Sequence, residues 1–140
     1  MKGTYVLFAQ VPYEFTLKIS DKEVLFKPGY YAYVGSALGG VEKRVERHFT
    51  QEKKLHWHID HLLLHAKAVD FLAAKTEERK ECAVAEGLAK QSPGIDGFGS
   101  SDCKCETHLF YNPDFHALLR QTLGVFKDLG LKPEKVTFDG

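Results

Sequence analysis

The spacing of apolar residues along the chain predicts two kinds of secondary structure. In the first part, β-branched and aromatic residues alternate with polar ones or form short continuous runs, and Pro, Gly or Asp separates the runs. This pattern is typical of short strands joined by turns. It predicts strands over residues 3–11, 15–19, 23–26, 29–36 and 66–74, a short apolar run at 109–111 and a last strand at 135–138.

A helical period appears between and after these strands. Val41, Val45 and Phe49 recur every four residues, so they share one face of a helix. Thr76 is the expected N-cap of a later helix, and Asn112, followed by proline, is the expected N-cap of the last one. Together these patterns predict helices over 40–49, 55–65, 78–90 and 113–129.

The segment 29–49, GYYAYVGSALGGVEKRVERHF, combines a strand, a glycine turn and a helix. Tyr31 and Tyr33 point to one side of the strand, and Arg44 and His48 lie one turn apart on the helix. A tyrosine, an arginine and a histidine placed in this way suit the binding of a phosphate group. The alternative is that the tyrosines only pack in the core and that the arginine is solvated.

The composition is that of an ordinary globular protein, with 44% hydrophobic and 27% charged residues among 140. That length suits a single domain over 1–140, large enough to bury its own core. The 19 lysines and arginines balance 19 aspartates and glutamates, and zero net charge argues against a surface that binds nucleic acid everywhere. It allows one local basic patch, formed by Lys43, Arg44, Arg47, His48, Lys53 and Lys54. The alternative is that these residues are only the solvated face of a helix.

The sequence also bears on location and cofactors. No signal peptide is expected, because the first residues lead directly into a strand. No apolar run approaches the roughly 20 residues that a membrane span needs. Three cysteines do not make a secreted disulfide framework, so the cytoplasm is the expected location. Neither a P-loop nor a GxGxxG motif is present, so no nucleotide cofactor is expected.

Histidine and cysteine residues form two candidate metal sites. His61 and His65 are four residues apart, a spacing at which two imidazoles on a helix can share a metal ion. Cys103, Cys105 and His108 form the pattern C-x-C-x2-H, which can contribute to a zinc site that needs a fourth ligand. The alternatives are hydrogen-bonded histidines and small buried thiols.

Several segments together resemble a known family. The tripeptides GTY at 3–5 and YVG at 33–35, followed by a helix with an arginine and a histidine, resemble the GIY-YIG nuclease superfamily. More narrowly, the chain resembles a family of small GIY-YIG-like domains that also occur fused to endonuclease III-type glycosylases. The segments that carry the narrower resemblance are HWHID at 56–60, EC at 81–82, GFGSSDCKC at 97–105 and THLF at 107–110.

This resemblance implies a fold and a reaction. The fold is a small α/β domain of the α+β type, with a central, mainly antiparallel three-stranded sheet flanked by helices. The segment between the two tripeptides departs from the family pattern, because it is expected to form an inserted hairpin, and the helix 113–129 would be a C-terminal appendage. The reaction is hydrolysis of phosphodiester bonds in DNA with one Mg²⁺ or Mn²⁺ ion. The expected process is DNA repair, and the expected partners are DNA and other DNA repair proteins.

The resemblance also implies roles for individual residues. Tyr5 would act as general base or orient the attacking water, while Tyr33 and His48 would line the site. A tyrosine base, with an ordinary pKa of roughly 10, needs a nearby cation to lower that pKa. Arg44 would neutralise the scissile phosphate, because an arginine fork matches phosphate oxygens. The implied catalytic set is therefore Tyr5, Tyr33, Arg44, His48 and Glu81.

In this set the metal ion would be bound by Glu81, with Glu86 as the alternative, because hard cations prefer carboxylate oxygens. Further contacts to DNA are expected from Lys43, Arg44, Arg47, Lys53 and Lys54. Two other functions stay open. One is a non-catalytic domain that binds nucleic acid, and the other is a zinc-stabilised interaction module that uses Cys103, Cys105 and His108.

Overall fold

The computed structural model describes residues 2–19, 21–37, 39–50, 58–99 and 105–134. The first half contains the strands β1 (Gly3–Val11), β2 (Phe15–Ile19), β3 (Lys22–Phe26) and β4 (Gly29–Ala37), then the helices α1 (Val41–Phe49) and α2 (His58–Leu62). The second half contains β5 (Lys67–Lys75), α3 (Glu81–Ala89), β6 (Leu109–Asn112) and α4 (Phe115–Asp128). The strands and the helix predicted up to residue 49 are confirmed, and the strand predicted at 135–138 lies outside the described residues.

Four strands form a central antiparallel sheet in the order β5-β1-β4-β6. β2 and β3 form a separate two-stranded hairpin that is inserted between β1 and β4. The α+β fold with an inserted hairpin is therefore confirmed. The central sheet has four strands and not three, because β6 pairs with β4 from Tyr30↔Asn112 to Tyr33↔Leu109. A run as short as 109–111 shows no period, so the sequence indicated an apolar segment there but not its partner.

Both faces of the central sheet are covered, which explains the continuous burial of β1. Alternate residues of a strand point to opposite faces, and Tyr5 and Leu7 lie in one apolar cluster while Val6 and Phe8 lie in another. The first cluster includes residues of α1, α2 and the hairpin, and the second includes residues of α3 and α4. A strand buried on both faces has a nearly continuous apolar sequence, as residues 5–9 do.

Helix α4 belongs to this core and is not an appendage. Its residues Leu118, Val125 and Phe126 are buried. It approaches α3 so closely at Gly87 that an added Cβ there would lie 2.7 Å from Cγ1 of Val125. That close approach accounts for a glycine inside α3, where its helix propensity is poor.

Two helix starts differ from the prediction. The N-cap of α4 is Asp114, because β6 continues through Asn112 and the Asp114 carboxylate accepts hydrogen bonds from the backbone N–H groups two and three residues further on. Helix α3 starts at Glu81, and Thr76 does not cap it. The Thr76 hydroxyl instead lies 3.2 Å from the hydroxyl of Thr4 on β1.

Helix α2 ends at Leu62 and does not continue to residue 65. The ring of His65 stacks on the ring of Phe15, with 4.5 Å between the centroids. His65 therefore lies beyond the helix that the metal pair with His61 assumed, and that pair stays a prediction. None of the helices among the described residues is both long enough and apolar enough to cross a membrane.

Candidate active site

Tyr5 and His48 form a buried hydrogen bond between β1 and α1. The Tyr5 hydroxyl oxygen lies 2.7 Å from Nε2 of His48, and the two residues are 0% and 2% exposed. This contact forms because α1 turns one face to the sheet: Val41, Val45 and His48 are its buried residues, at the spacing of a helical stripe. The tyrosine O–H donates to Nε2 when that nitrogen carries no proton.

Gly35 makes room for the Tyr5 ring. The two residues are partners across β1 and β4, and a Cβ on Gly35 would lie 2.6 Å from both Cζ and the hydroxyl oxygen of Tyr5. Tyr33, two residues earlier on β4, faces the same side of the sheet. Its ring centroid is 6.4 Å from that of Tyr5 and 6.0 Å from that of His48. Two phenols and one imidazole therefore meet on one face of the sheet.

Both tyrosines are neutral near pH 7, and burial raises the pKa of each phenol further above that pH. Desolvation raises the pKa of Tyr33 to about 12, although the charge of Arg44 opposes this rise. Desolvation also raises the pKa of Tyr5, again by more than Arg44 lowers it. A tyrosine that acts as general base needs a nearby cation to lower its pKa. That cation is present, but the burial of the phenol outweighs it.

Glu81 reaches the same region from the start of α3. Its Oε2 accepts a hydrogen bond from the hydroxyl of Ser36, which follows Gly35 on β4. The backbone carbonyl of Ser36 accepts a hydrogen bond from Nη1 of Arg44 at 3.4 Å. Although burial of the phenol and the charge of Arg44 have larger effects on the pKa of Tyr33, the charge of Glu81 raises that pKa. Ser36 therefore connects the predicted metal ligand with the predicted phosphate ligand.

Glu86, the alternative metal ligand, lies on a different side of α3. A separation of five positions corresponds to a rotation of about 140° around a helix. Glu86 is exposed and lines a separate cavity of about 540 Å³ together with Cys105 and Phe110. The structure therefore brings Glu81, and not Glu86, to the two tyrosines.

A small basic cavity opens at the N-terminus of α1. Backbone N–H groups at the start of a helix carry partial positive charge and bind anions. Gly40, with a φ of 138°, adopts a conformation that other residues rarely adopt, and it lets the chain turn from β4 into α1. The cavity has a volume of about 290 Å³ and is lined by Gly39, Gly40, Lys43, Arg44 and Arg47.

Arg47 forms an ion pair with Asp60 of α2. Its guanidinium donates to the two carboxylate oxygens of Asp60 at 2.7 and 2.9 Å, and Asp60 is fully buried. A bidentate pair of this kind is geometrically specific and holds α1 to α2. The DNA contact predicted for Arg47 therefore competes with this ion pair. Lys43 is exposed, whereas Lys53 and Lys54 lie outside the described residues.

Two residues of this region, Ser36 and Cys82, were not predicted from the sequence as site residues. Each directly follows a residue that was predicted, the glycine of YVG and the glutamate of EC, and this adjacency was the available signal. Of the predicted zinc ligands, Cys103 lies outside the described residues. Cys105 and His108 are described, and both lie close to Cys82.

A comparison with protein families finds a match along almost the whole chain. The model of a family described as "Domain of unknown function DUF123" matches residues 4–131. No curated protein and no solved structure matches the chain. The predicted membership of the GIY-YIG nuclease superfamily, including its glycosylase-fused subfamily, is wrong. The matching family is DUF123, and none of these comparisons finds a GIY-YIG protein.

Proposed function

The chain belongs to the DUF123 family, whose description assigns no function, and we propose from its site geometry that it hydrolyses DNA phosphodiester bonds with a divalent metal ion. The observation that carries this proposal is that polar side chains from β1, β4, α1 and α3 lie together next to the basic cavity. The residues concerned are Tyr5, Tyr33, Arg44, His48 and Glu81.

Arg44 is the proposed ligand of the scissile phosphate. It lines the basic cavity at the N-terminus of α1, and its charge acts on both Tyr5 and Tyr33. A guanidinium pairs with two phosphate oxygens at once and keeps its charge at every accessible pH. Lys43, exposed and in the same cavity, would add a second positive charge for the DNA backbone.

Glu81 is the proposed ligand of Mg²⁺ or Mn²⁺. Its side chain is 12% exposed, and the Ser36 hydroxyl orients its carboxylate. Mg²⁺ usually takes one or two carboxylates together with water molecules and substrate phosphate oxygens. A single oriented carboxylate that Ser36 connects to Arg44 suits that requirement. When bound, such an ion stabilises the negative charge that develops on the leaving oxygen.

Tyr5 and His48 are proposed to orient and deprotonate the attacking water. A neutral Tyr5 accepts a hydrogen bond from water at its phenol oxygen while it donates its own proton to Nε2 of His48. As the water proton passes to the phenol oxygen, the phenol proton passes to Nε2, so His48 ends protonated and Tyr5 stays neutral. This relay agrees with the burial that raises the Tyr5 pKa and disfavours a free phenolate.

The same burial favours a second candidate function, a domain that binds nucleic acid without cutting it. Tyr5 and His48 are 0% and 2% exposed, so a substrate reaches them only after the site opens. In this alternative, Arg44 and Lys43 bind backbone phosphates, and the hydrogen bond between Tyr5 and His48 only stabilises the fold.

Cleavage of labelled DNA distinguishes the two candidates. Single-stranded, nicked, abasic, flapped and branched DNAs are incubated with the protein in Mg²⁺, Mn²⁺ or EDTA. We expect products that depend on the metal ion, and a fall in rate of about 100-fold or more in Arg44→Ala and in Glu81→Gln. Glu86→Gln and Arg120→Ala, which change exposed residues of α3 and α4, are matched controls and should cut like the wild type.

A gel-shift assay of the same variants completes the test. Glu81→Gln that cuts as fast as the wild type would contradict the assignment of the metal ligand. Intact DNA that is bound but never cut, with binding weakened in Arg44→Ala, would establish the non-catalytic candidate.

A further inference from the structure

Cys82, Cys105 and His108 form a compact cluster of two thiols and one imidazole. Cys82 is the second residue of α3, whereas Cys105 and His108 lie in the segment that leads into β6. One ligand atom from each of the three residues lies within 4.8 Å of the other two. Cys82 Sγ lies 4.0 Å from Nε2 of His108. The fold therefore brings together side chains that are far apart in the chain.

Two thiolates and one imidazole are donors that zinc prefers. Around a tetrahedral zinc ion, with bonds of about 2.3 Å to sulfur and about 2.0 Å to nitrogen, the ligand atoms lie roughly 3.5–3.8 Å apart. The separations in the cluster exceed these values by little more than about 1 Å. Small rotations of the three side chains are enough to bring their donor atoms to bonding distance from one zinc ion.

His108 is held in place by its backbone. Its carbonyl accepts a hydrogen bond from the N–H of Val34 on β4 at 2.9 Å, and its own N–H donates to the carbonyl of Phe98 at 2.8 Å. The residue is 5% exposed. A ligand that is fixed before the metal arrives loses little conformational entropy on binding.

We propose that Cys82, Cys105 and His108 bind a zinc ion that joins the first turn of α3 to the segment leading into β6. A water molecule supplies the fourth tetrahedral position. The pattern C-x-C-x2-H predicted two of these ligands, and the fold adds Cys82. The zinc site does not depend on DNA hydrolysis, although it would fix the backbone next to Glu81.

Metal uptake by the 140-residue chain tests this site. The protein is reduced, stripped with a chelator and titrated first with Co²⁺ and then with Zn²⁺. We expect one equivalent of Co²⁺ to bind with thiolate-to-cobalt charge-transfer absorption, Zn²⁺ to displace it, and the bound metal to raise the Tm. Failure to develop the charge-transfer absorption, or a Tm that Zn²⁺ leaves unchanged, would overturn the proposal.

Variants separate coordination from packing. Cys82→Ser should weaken zinc binding by about tenfold or more and reduce the charge-transfer absorption. His108→Cys keeps a zinc ligand and should still bind one equivalent of zinc, whereas His108→Ala should bind much more weakly. His116→Ala, which changes an exposed histidine on α4, is the control and should bind like the wild type.

Either of two results of this series would contradict the proposed zinc site. One is a zinc affinity of Cys82→Ser equal to that of the wild type, and the other is an equal zinc affinity in His108→Cys and His108→Ala. If His108→Ala does not fold, Cys82→Ser and His108→Cys still decide the question. Because none of these measurements uses DNA, a failure here is distinct from a failure of the proposed hydrolysis.

Discussion

The hydroxyl oxygen of Tyr5 lies 2.7 Å from Nε2 of His48, and both residues are almost completely buried. This bond joins the first strand of the sheet to the first helix. A buried polar bond contributes to stability and also fixes the orientation of its two groups. Its loss should therefore be visible in the free energy of unfolding and in any chemistry that uses either group.

We expect Tyr5→Phe to lower the free energy of unfolding by about 1–3 kcal/mol, because Nε2 of His48 stays buried and loses this donor. Tyr31→Phe is the matched control: Tyr31 is 1% exposed, and its hydroxyl donates to the Lys27 carbonyl at 2.9 Å. Its stability should fall as well, but DNA cleavage should fall only in Tyr5→Phe. Urea unfolding and the cleavage assay measure the two effects. Equal cleavage by both variants would exclude the proposed role of Tyr5.

Gly35→Ala should destabilise the protein by about 1–3 kcal/mol, as overpacking of a core does. The new methyl group would lie 2.6 Å from the Tyr5 hydroxyl and would push that group away from His48. Gly124→Ala on α4 should have the opposite effect, because nothing lies within 4 Å of its Cβ position and alanine favours a helix by about 1 kcal/mol. Thermal unfolding compares the two variants. An unchanged Tm in Gly35→Ala would show that Tyr5 does not pack against Gly35.

Arg47→Ala and Arg44→Ala should separate stability from binding. Arg47→Ala removes the guanidinium that compensates the buried Asp60 carboxylate, a change that typically costs about 3–5 kcal/mol. We expect the lower end of that range, because the Arg47 side chain is 26% exposed. Arg44→Ala should cost less than about 1 kcal/mol and should mainly weaken DNA binding. The Tm and gel-shift assays measure the two effects. A larger loss of Tm in Arg44→Ala, together with a larger loss of DNA binding in Arg47→Ala, would contradict these roles.

The stability of the protein should fall at high pH through the titration of Tyr33. Burial raises the pKa of Tyr33 from about 10 to about 12, so the folded state holds the phenol proton more tightly than the unfolded chain does. The stability that results is complete below about pH 10 and is lost as the pH rises through about 12. Burial also raises the pKa of Tyr5, which therefore contributes in the same direction.

Urea unfolding between about pH 8 and pH 12 measures this loss in the wild type and in Tyr33→Phe. The variant should show a shallower fall, because one of the buried phenols with a raised pKa is gone. The same pH dependence in both proteins would mean that Tyr33 keeps its ordinary pKa after folding.

The local elements of this chain follow from its sequence. Burial against one face of a sheet imposes a four-residue apolar spacing on a helix, so Val41 and Val45 marked α1. The strand that carries Tyr33 and Gly35 showed its alternation in the same way, whereas the expected fold class rested on the family resemblance. Segments without a period, such as β6, had no comparable signal.

The chemical partners were decided by the tertiary structure. The sequence named Arg44, His48 and Glu81 as candidates, but it did not indicate that Ser36 would join two of them. It placed Cys105 beside His108 through a short motif, and it marked Cys82 only as the residue after Glu81 in the EC pair. Each of these contacts joins residues from different elements, and their distance depends on how strands pair and helices pack. Local periodicity determined which faces of this protein are buried, while packing determined which polar groups meet between those faces.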